Sequence, residues 1–167
     1  PNWNREITRG HFGWVKTIPP LEQAQIETAR DEQLIEAFSK QEPDRIERSR
    51  VEGGFVEYGG GEAAADELSK LAESNSSRAA EVIRLLVSNG LTTHIHRALR
   101  GFSANDDREL FFSLINEISA DCDASEDYRS APSYVLSSHC DDDVLPEEMI
   151  GLLESWLAKP WDNTRQV

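Results

Sequence analysis

The segment from Glu62 to Phe102 constrains the fold more than any other part of the chain. In EAAADELSKLAESNSSRAAEVIRLLVSNGLTTHIHRALRGF, apolar residues recur three or four positions apart. This spacing places apolar side chains on one face of an α-helix. Signals that end helices interrupt the pattern, first between Ser74 and Ser77 and again at Gly90, which suits the position after a helix C-cap. The segment therefore predicts short helices with brief links.

The same pattern continues to the end of the chain. Helix starts are predicted near residues 62, 77, 92, 106, 128 and 146. Thr92 is expected to cap the third helix, and Pro146 suits the first position of the sixth. The buried face of this last helix is expected to contain the apolar residues Met149, Ile150, Leu153, Trp156 and Leu157.

The predicted fold class is all-α, because no convincing strand separates these helices. Alternate helix starts at 62, 92 and 128 lie 30 and 36 residues apart, near the period of helical-hairpin repeats. This spacing favours stacked helical hairpins, a solenoid-like array of the HEAT type, over a closed bundle.

The first 60 residues lack a sustained period and are predicted to form an irregular lead-in. A short helical turn is expected after Pro20, and TARDEQLIEAFSKQ predicts one helix near residues 29–41. RVEGGFVEYGGG is interpreted as a loop, because five glycines in nine residues make a regular element entropically costly. The expected organisation is this lead-in, residues 1–60, followed by an array of about six helices over residues 61–160.

Composition narrows the possible partners and locations. The net charge is −14, which disfavours nucleic acid and anionic membrane surfaces as partners because both attract basic proteins. Residues 121–167 are the most acidic part, with 11 acidic and 3 basic side chains. The chain starts at Pro1 and has no long apolar run or secretory leader, so a soluble fragment of a longer protein is expected. Two cysteines fit a reducing compartment, and the cytoplasm is the expected location.

Several segments together resemble a known group of proteins. In order they are IPP, DEQLIEAFSK, YGGG, ADELSKLAES, RAAEVIRLL, IHRALRGF, YRSAPSYVLSSHC and LPEEMIGLLESWL. This text resembles the helical C-terminal, sensor-type region of large bacterial NTPases similar to signal-transducing ATPases with numerous domains, some of which are antiphage defence proteins. The resemblance covers roughly residues 18–158. It implies a helical sensor that follows a nucleotide-binding module, and this chain has no phosphate-binding loop of its own, since GGGEAA lacks the lysine and hydroxyl.

The segment SSHCDDD, residues 137–143, gathers groups that could serve in a metal or catalytic site. On a helix, His139, Cys140 and Asp141 point in three directions, because successive residues turn by about 100°. The favoured interpretation is a small buried cysteine followed by an exposed acidic linker. A cysteine hydrolase that uses Cys140 remains an alternative.

Four other groups of residues bear on possible sites. DCDASEDYR offers Asp121, Asp123, Ser125 and Asp127 at calcium-loop spacing, but Glu126 replaces the glycine of the turn and Pro132 replaces the bidentate glutamate. His94 and His96 are two residues apart and cannot form a helical metal pair, so one is expected to face a helix and the other solvent. Basic residues could form a patch or pair with glutamates (Arg84, Arg97, Arg100), and the aromatics of the lead-in are expected to dock onto the helices (Trp3, Phe12, Trp14, Phe55).

These observations predict no catalytic, cofactor-binding or metal-binding residues. The expected function is a non-enzymatic helical recognition or scaffold segment that binds a protein, either a viral protein or another domain of the parent. The first alternative to this function, ahead of the cysteine hydrolase, is an acidic inhibitor that mimics DNA, although its 31 acidic residues are mixed with 17 basic ones.

Overall fold

The computed structural model describes residues 14–39, 47–51, 54–104, 107–122, 126–139 and 145–158. In chain order the elements are β1 Trp14–Ile18, α1 Gln23–Thr28, α2 Asp31–Ser39, β2 Glu47–Val51, β3 Gly54–Tyr58, α3 Gly61–Ser74, α4 Ser76–Ser88, α5 Ile95–Leu99, a 3₁₀ segment Arg100–Ala104, α6 Arg108–Cys122, α7 Glu126–His139 and α8 Glu147–Ala158. From residue 61 onward the described residues form only helices and short links, which confirms the helical fold class for this part of the chain.

The predicted helix starts lie within three residues of the observed ones. The largest error concerns the third helix, where Thr92 is not the cap. α5 begins at Ile95 after the N-cap His94, and after only five residues it continues as the 3₁₀ segment. Two helices, α1 and α2, occupy the region in which one helix and a short helical turn were expected.

The interpretation of RVEGGFVEYGGG as a loop is wrong, because this text contributes to a three-stranded sheet. The strand order is β1-β3-β2, with β1 parallel and β2 antiparallel to β3. The glycines flank the β3 segment Phe55–Tyr58, whose aromatic and β-branched residues favour an extended backbone. The high glycine content of the whole segment therefore led to the wrong prediction for the short strand that lies between the glycines.

The helices lie in two rows. One row contains α1, α3, α5 with the 3₁₀ segment, and α7, and the other contains α2, α4, α6 and α8. Within each row, a helix packs against the helix two positions further along the chain. A continuous cluster of buried apolar side chains extends from Ile26 in α1 to Trp156 in α8. The core therefore extends along the whole helical part of the described chain.

Two local motifs set the lengths of the central helices. Asn75 ends α3 and caps α4, since its side chain accepts a hydrogen bond from the Arg78 backbone N–H at 3.2 Å. Gly90 follows α4 with φ of +74°, a conformation that favours glycine. The N–H groups of Gly90 and Leu91 donate to the carbonyls of Val87 and Leu86, both at 2.9 Å. This is a Schellman motif, and Gly90 occupies the position after the C-cap that was predicted for it.

The 3₁₀ segment packs unusually close to α3. A Cβ atom added at Gly101 would overlap the Ser69 carbonyl oxygen and would lie 2.9 Å from the Ala72 Cβ. Only glycine permits this backbone approach. Beside it, Phe102 is buried and its ring centroid lies 5.7 Å from that of Phe111 in α6. The 3₁₀ segment thus contacts both rows.

The last helical pair joins the core through aromatic contacts. Tyr128 in α7 is buried, and its hydroxyl lies 3.3 Å from the hydroxyl of Ser119 in α6. The Tyr128 and Trp156 rings meet edge to face, with their centroids 6.0 Å apart. Trp156 is therefore a core residue of α8, as predicted.

Candidate interaction surface

The two acidic segments that raised the question of a metal site are only partly described. His139 ends α7, and Cys140 to Asp143 lie outside the described residues. Asp121 lies in the last turn of α6, whereas the side chains of Asp123, Ser125 and Asp127 are also outside the description. Within the described part of the chain, no three His, Cys, Asp or Glu residues are placed to hold a metal ion.

His94 and His96 are both half-buried, so neither side chain is fully buried or fully exposed. His94 borders a small cavity of about 130 Å³ between α2, α3 and α5, whose other walls are mostly apolar, including Phe38, Leu68 and Leu91. Its Nε2 is buried and has no hydrogen-bond partner among the described residues. The cavity is below the usual size of a ligand pocket, about 300 Å³ or more.

The arginines considered as a basic patch mostly form ion pairs with acids on neighbouring helices. Arg97 in α5 contacts Glu62 and Asp66 of α3, the latter at 3.2 Å. Arg84 in α4 binds Glu117 in α6 through two nitrogens, with Nη2 3.2 Å from Oε1. Arg100 is exposed at the start of the 3₁₀ segment. Two of the three arginines thus join helices that are adjacent in a row.

The carboxyl of Glu117 shows the electrostatic effect of such a pair. Hydrogen bonds from Arg84, and then from the Ser113 hydroxyl at 2.8 Å, lower the pKa of Glu117 below its ordinary value of 4.5. Hydrogen bonds to the ionised form favour that form. Glu117 is therefore ionised in the folded chain at neutral pH.

A groove of about 500 Å³ lies between α6 and the beginning of α8. One face of α6 forms a wall with residues at helical spacing, namely Glu109, Phe112, Ser113, Asn116 and Glu117. Pro146, Glu148 and Met149 complete the lining. The groove thus combines three carboxylates with apolar patches.

The outer side of α8 carries exposed apolar residues. Ile150 is 40 % exposed and Leu157 is 73 % exposed, while Leu153 between them is half-buried. Spacings of three and four residues place these residues in one line along the helix, which we call the α8 stripe (Ile150, Leu153, Leu157). The prediction that Ile150 and Leu157 are buried is wrong, because only Met149 and Trp156 of this helix are fully buried.

The helix that carries the α8 stripe is acidic. α8 contains Glu147, Glu148 and Glu154, all exposed, and it contains no lysine, arginine or histidine. Arg129 in α7 is a cation close to α8, since its Nη1 lies 3.5 Å from the Trp156 carbonyl oxygen, but its side chain is buried. The stripe thus combines exposed apolar surface with negative charge.

Sequence reasoning did not single out the α8 stripe. The apolar face of MIGLLESWL is wider than the contact that one neighbouring row can cover, and this excess width was the available signal. The predicted docking of the lead-in aromatics falls on residues whose side chains lie outside the described residues. Trp14 lies in β1 and Phe55 in β3, while their side chains, and all of Trp3 and Phe12, lie outside the description.

Comparison with known proteins found no match to a family model, a curated protein or a solved structure. In the described part of the chain, no helix has the length and apolar character needed to cross a membrane.

Proposed function

We propose that this chain is a non-catalytic helical recognition or scaffold segment that binds a protein partner. The observation that carries the proposal is the arrangement of α1 to α8 in two rows, ending in a helix whose apolar stripe is exposed. Contiguous exposed apolar surface on a folded chain is typical of interaction sites. Protein recognition is therefore the function class that this surface supports best.

The row pattern also supports a solenoid-like stack of helical hairpins of the HEAT type. Contacts between each helix and the one two positions further along are what such a stack requires. Stacked hairpins present an extended surface to a partner. A partner that binds one arrangement of the parent protein better than another would shift the population toward that arrangement.

The resemblance to sensor regions of bacterial NTPases gives this proposal its biological setting. In that setting the parent protein hydrolyses a nucleotide in another module, and the partner is either a viral protein or another domain of the parent. A cytoplasmic location fits the same setting. These points rest on the sequence segments quoted above.

The DNA-mimic alternative requires rows of carboxylates that are free to replace phosphates. Several acids instead hold basic side chains of the same chain, as Glu62 and Asp66 hold Arg97 and Glu117 holds Arg84. This internal pairing favours protein recognition over nucleic-acid mimicry.

Photo-crosslinking from several surfaces tests the proposed function. A photoreactive amino acid is introduced singly at Leu157, at Glu109 in the groove and at Glu73 on α3, which are all exposed. Each full chain is irradiated in bacteria with and without phage infection. We expect one discrete protein adduct from at least one surface, identified by mass spectrometry. The absence of an adduct from every position in both conditions would contradict the function.

A further inference from the structure

We propose that the α8 stripe docks a basic amphipathic helix of the protein partner. This inference rests on the proposed function and adds to it the surface that is used and the chemistry of the bound segment. It follows from three features of the molecule, which are the exposure of the stripe, the arrangement of the rows and the distribution of charge.

The exposure of the stripe has a simple origin in the rows. α6 packs against α4 and against α8, whereas the described residues contain no helix that continues the row beyond α8. Leu157 and Ile150 accordingly remain exposed while Trp156 is buried. The stripe extends over two helical turns, about 10 Å at about 1.5 Å per residue. A helix that supplies apolar residues at spacings of three, four and seven can cover a line of this length.

The charge around the stripe indicates which kind of segment it binds. Glu147 and Glu154 lie three and four residues from Ile150 and therefore flank the stripe on one side, and α8 itself contains no cation. Lysines or arginines beside the apolar residues of an incoming helix would meet these carboxylates, while an acidic helix would be repelled. The complementary segment is therefore apolar along one side and basic along its flanks.

The same charge disfavours a second copy of this chain. Two α8 stripes placed face to face would bring Glu154 close to the glutamates of the other copy. In a head-to-tail stack, α8 would meet the first helical pair, which carries Glu27, Asp31 and Glu32. Both arrangements oppose like charges, in a chain with a net charge of −14.

The test uses a fluorescent synthetic helix of about 20 residues, with leucines at spacings of three and four and lysines at the flanking positions. Its binding to the full chain is measured by anisotropy at low salt, together with an acidic version in which glutamates replace the lysines. We expect saturable binding of the basic helix and binding of the acidic helix at least tenfold weaker. A lack of binding by the basic helix, or equal binding by the two helices, would overturn the proposal.

Two matched variants locate the binding surface. Leu157→Asp places a carboxylate on the stripe, and Ala158→Asp places one at the next position, which is exposed and turned by about 100° from it. Both add the same charge at the same helix end. We expect at least tenfold weaker binding for Leu157→Asp and less than a twofold change for Ala158→Asp. Equal affinities would show that the helix binds elsewhere.

Charge reversal tests the role of the acidic surroundings. Glu154→Lys is expected to weaken binding of the basic helix about threefold, while Glu73→Lys, the same change on the exposed side of α3, leaves it unaltered. If both changes weakened binding equally, the helix would respond only to the net charge of the chain, and the proposed docking site would be wrong.

Sedimentation and crosslinking distinguish the remaining occupants. The wild-type chain is expected to sediment as a monomer, and a dimer abolished by Leu157→Asp would identify a second copy as the occupant and overturn the proposal. In the crosslinking experiment, an adduct from Glu109 or Glu73 without one from Leu157 would retain the proposed function but contradict this surface. Adducts from no position would contradict the proposed function itself.

Discussion

The middle of the helical part and its last helix use similar apolar patterns but differ in how completely they bury them. In α3 and the 3₁₀ segment, backbone approaches so closely at Gly101 that a side chain has no space. In α8, Ile150 and Leu157 remain exposed, and a Cβ at Gly151 would have nothing within 4 Å. The two regions also differ in their row neighbours, since α3 packs between α1 and α5, whereas α8 packs in its row against α6 among the described residues.

Truncation of Trp156 tests whether this side chain holds α8 against the other helices. Trp156→Ala is expected to lower the free energy of unfolding by about 3 to 5 kcal/mol, because a buried aromatic is lost and a cavity remains. Chemical denaturation measures this change. The control Leu157→Ala should stay within about 0.5 kcal/mol, since Leu157 is exposed. Equal stability of the two variants would mean that α8 is not anchored through Trp156.

Two substitutions of glycine by alanine are expected to change the stability of the chain in opposite directions. Gly101→Ala should destabilise the chain by about 3 kcal/mol, at the upper end of overpacking effects, because the new Cβ overlaps the Ser69 carbonyl. Gly151→Ala should stabilise it by about 0.5 to 1 kcal/mol, because alanine favours a helix and the site is open. Thermal unfolding measures both. Destabilisation by Gly151→Ala would show that α8 is as crowded as the middle.

Loss of a helix cap should have an intermediate effect. Asn75→Ala removes the acceptor for the Arg78 N–H and is expected to lower the free energy of unfolding by about 1 kcal/mol. Ser155→Ala in α8 also removes a side-chain hydrogen bond, to the Leu152 carbonyl, but not a cap. Its effect should be within about 0.5 kcal/mol by urea denaturation. A larger loss of stability for Ser155→Ala than for Asn75→Ala would mean that this side-chain hydrogen bond in α8 contributes more than the cap in the middle of the helical part.

The smallest effect concerns the ion pair between Arg84 and Glu117 and depends on pH. The lowered pKa of Glu117 means that its ionised form stabilises the fold above its ordinary pKa, and that this contribution disappears as pH falls through the lower folded-state pKa. At pH 7, Glu117→Gln should cost no more than about 1 kcal/mol, because the pair is partly exposed.

Urea denaturation of the wild type and of Glu117→Gln from pH 7 down to pH 3 measures this contribution. The difference between the two chains should become smaller toward acid pH. A difference that stays constant with pH would show that the ionised carboxyl does not contribute.

The helices were predictable because their signals are local. The spacing of Leu68, Leu71 and Ala72 predicts a buried face of α3, and Gly90 marks the end of α4. The row contacts were not predictable, because they depend on residues distant in sequence, such as Arg84 and Glu117. The sequence predicted the helices but not which acids their arginines would bind.

The strands and the α8 stripe were missed for different physical reasons. β3 is short and lies between glycines, and it pairs with β1 across a long separation that local patterns do not encode. Leu157 belongs to the same apolar pattern as Trp156, and spacing alone does not tell which of the two meets a neighbour. Tertiary context decided both cases.

The parallel pairing of β1 with β3 has a consequence for the order of folding. Trp14 pairs with Gly54 and Ile18 with Tyr58, so the chain between the two strands, including α1 and α2, must close into a loop before these pairs form. Closing a long loop costs conformational entropy before any contact compensates it, whereas α3 and α4 meet through a single linking residue. Contacts between distant residues slow folding. Helical structure around Asn75 should consequently appear earlier than the sheet, and hydrogen exchange pulsed during refolding would follow that sequence of events.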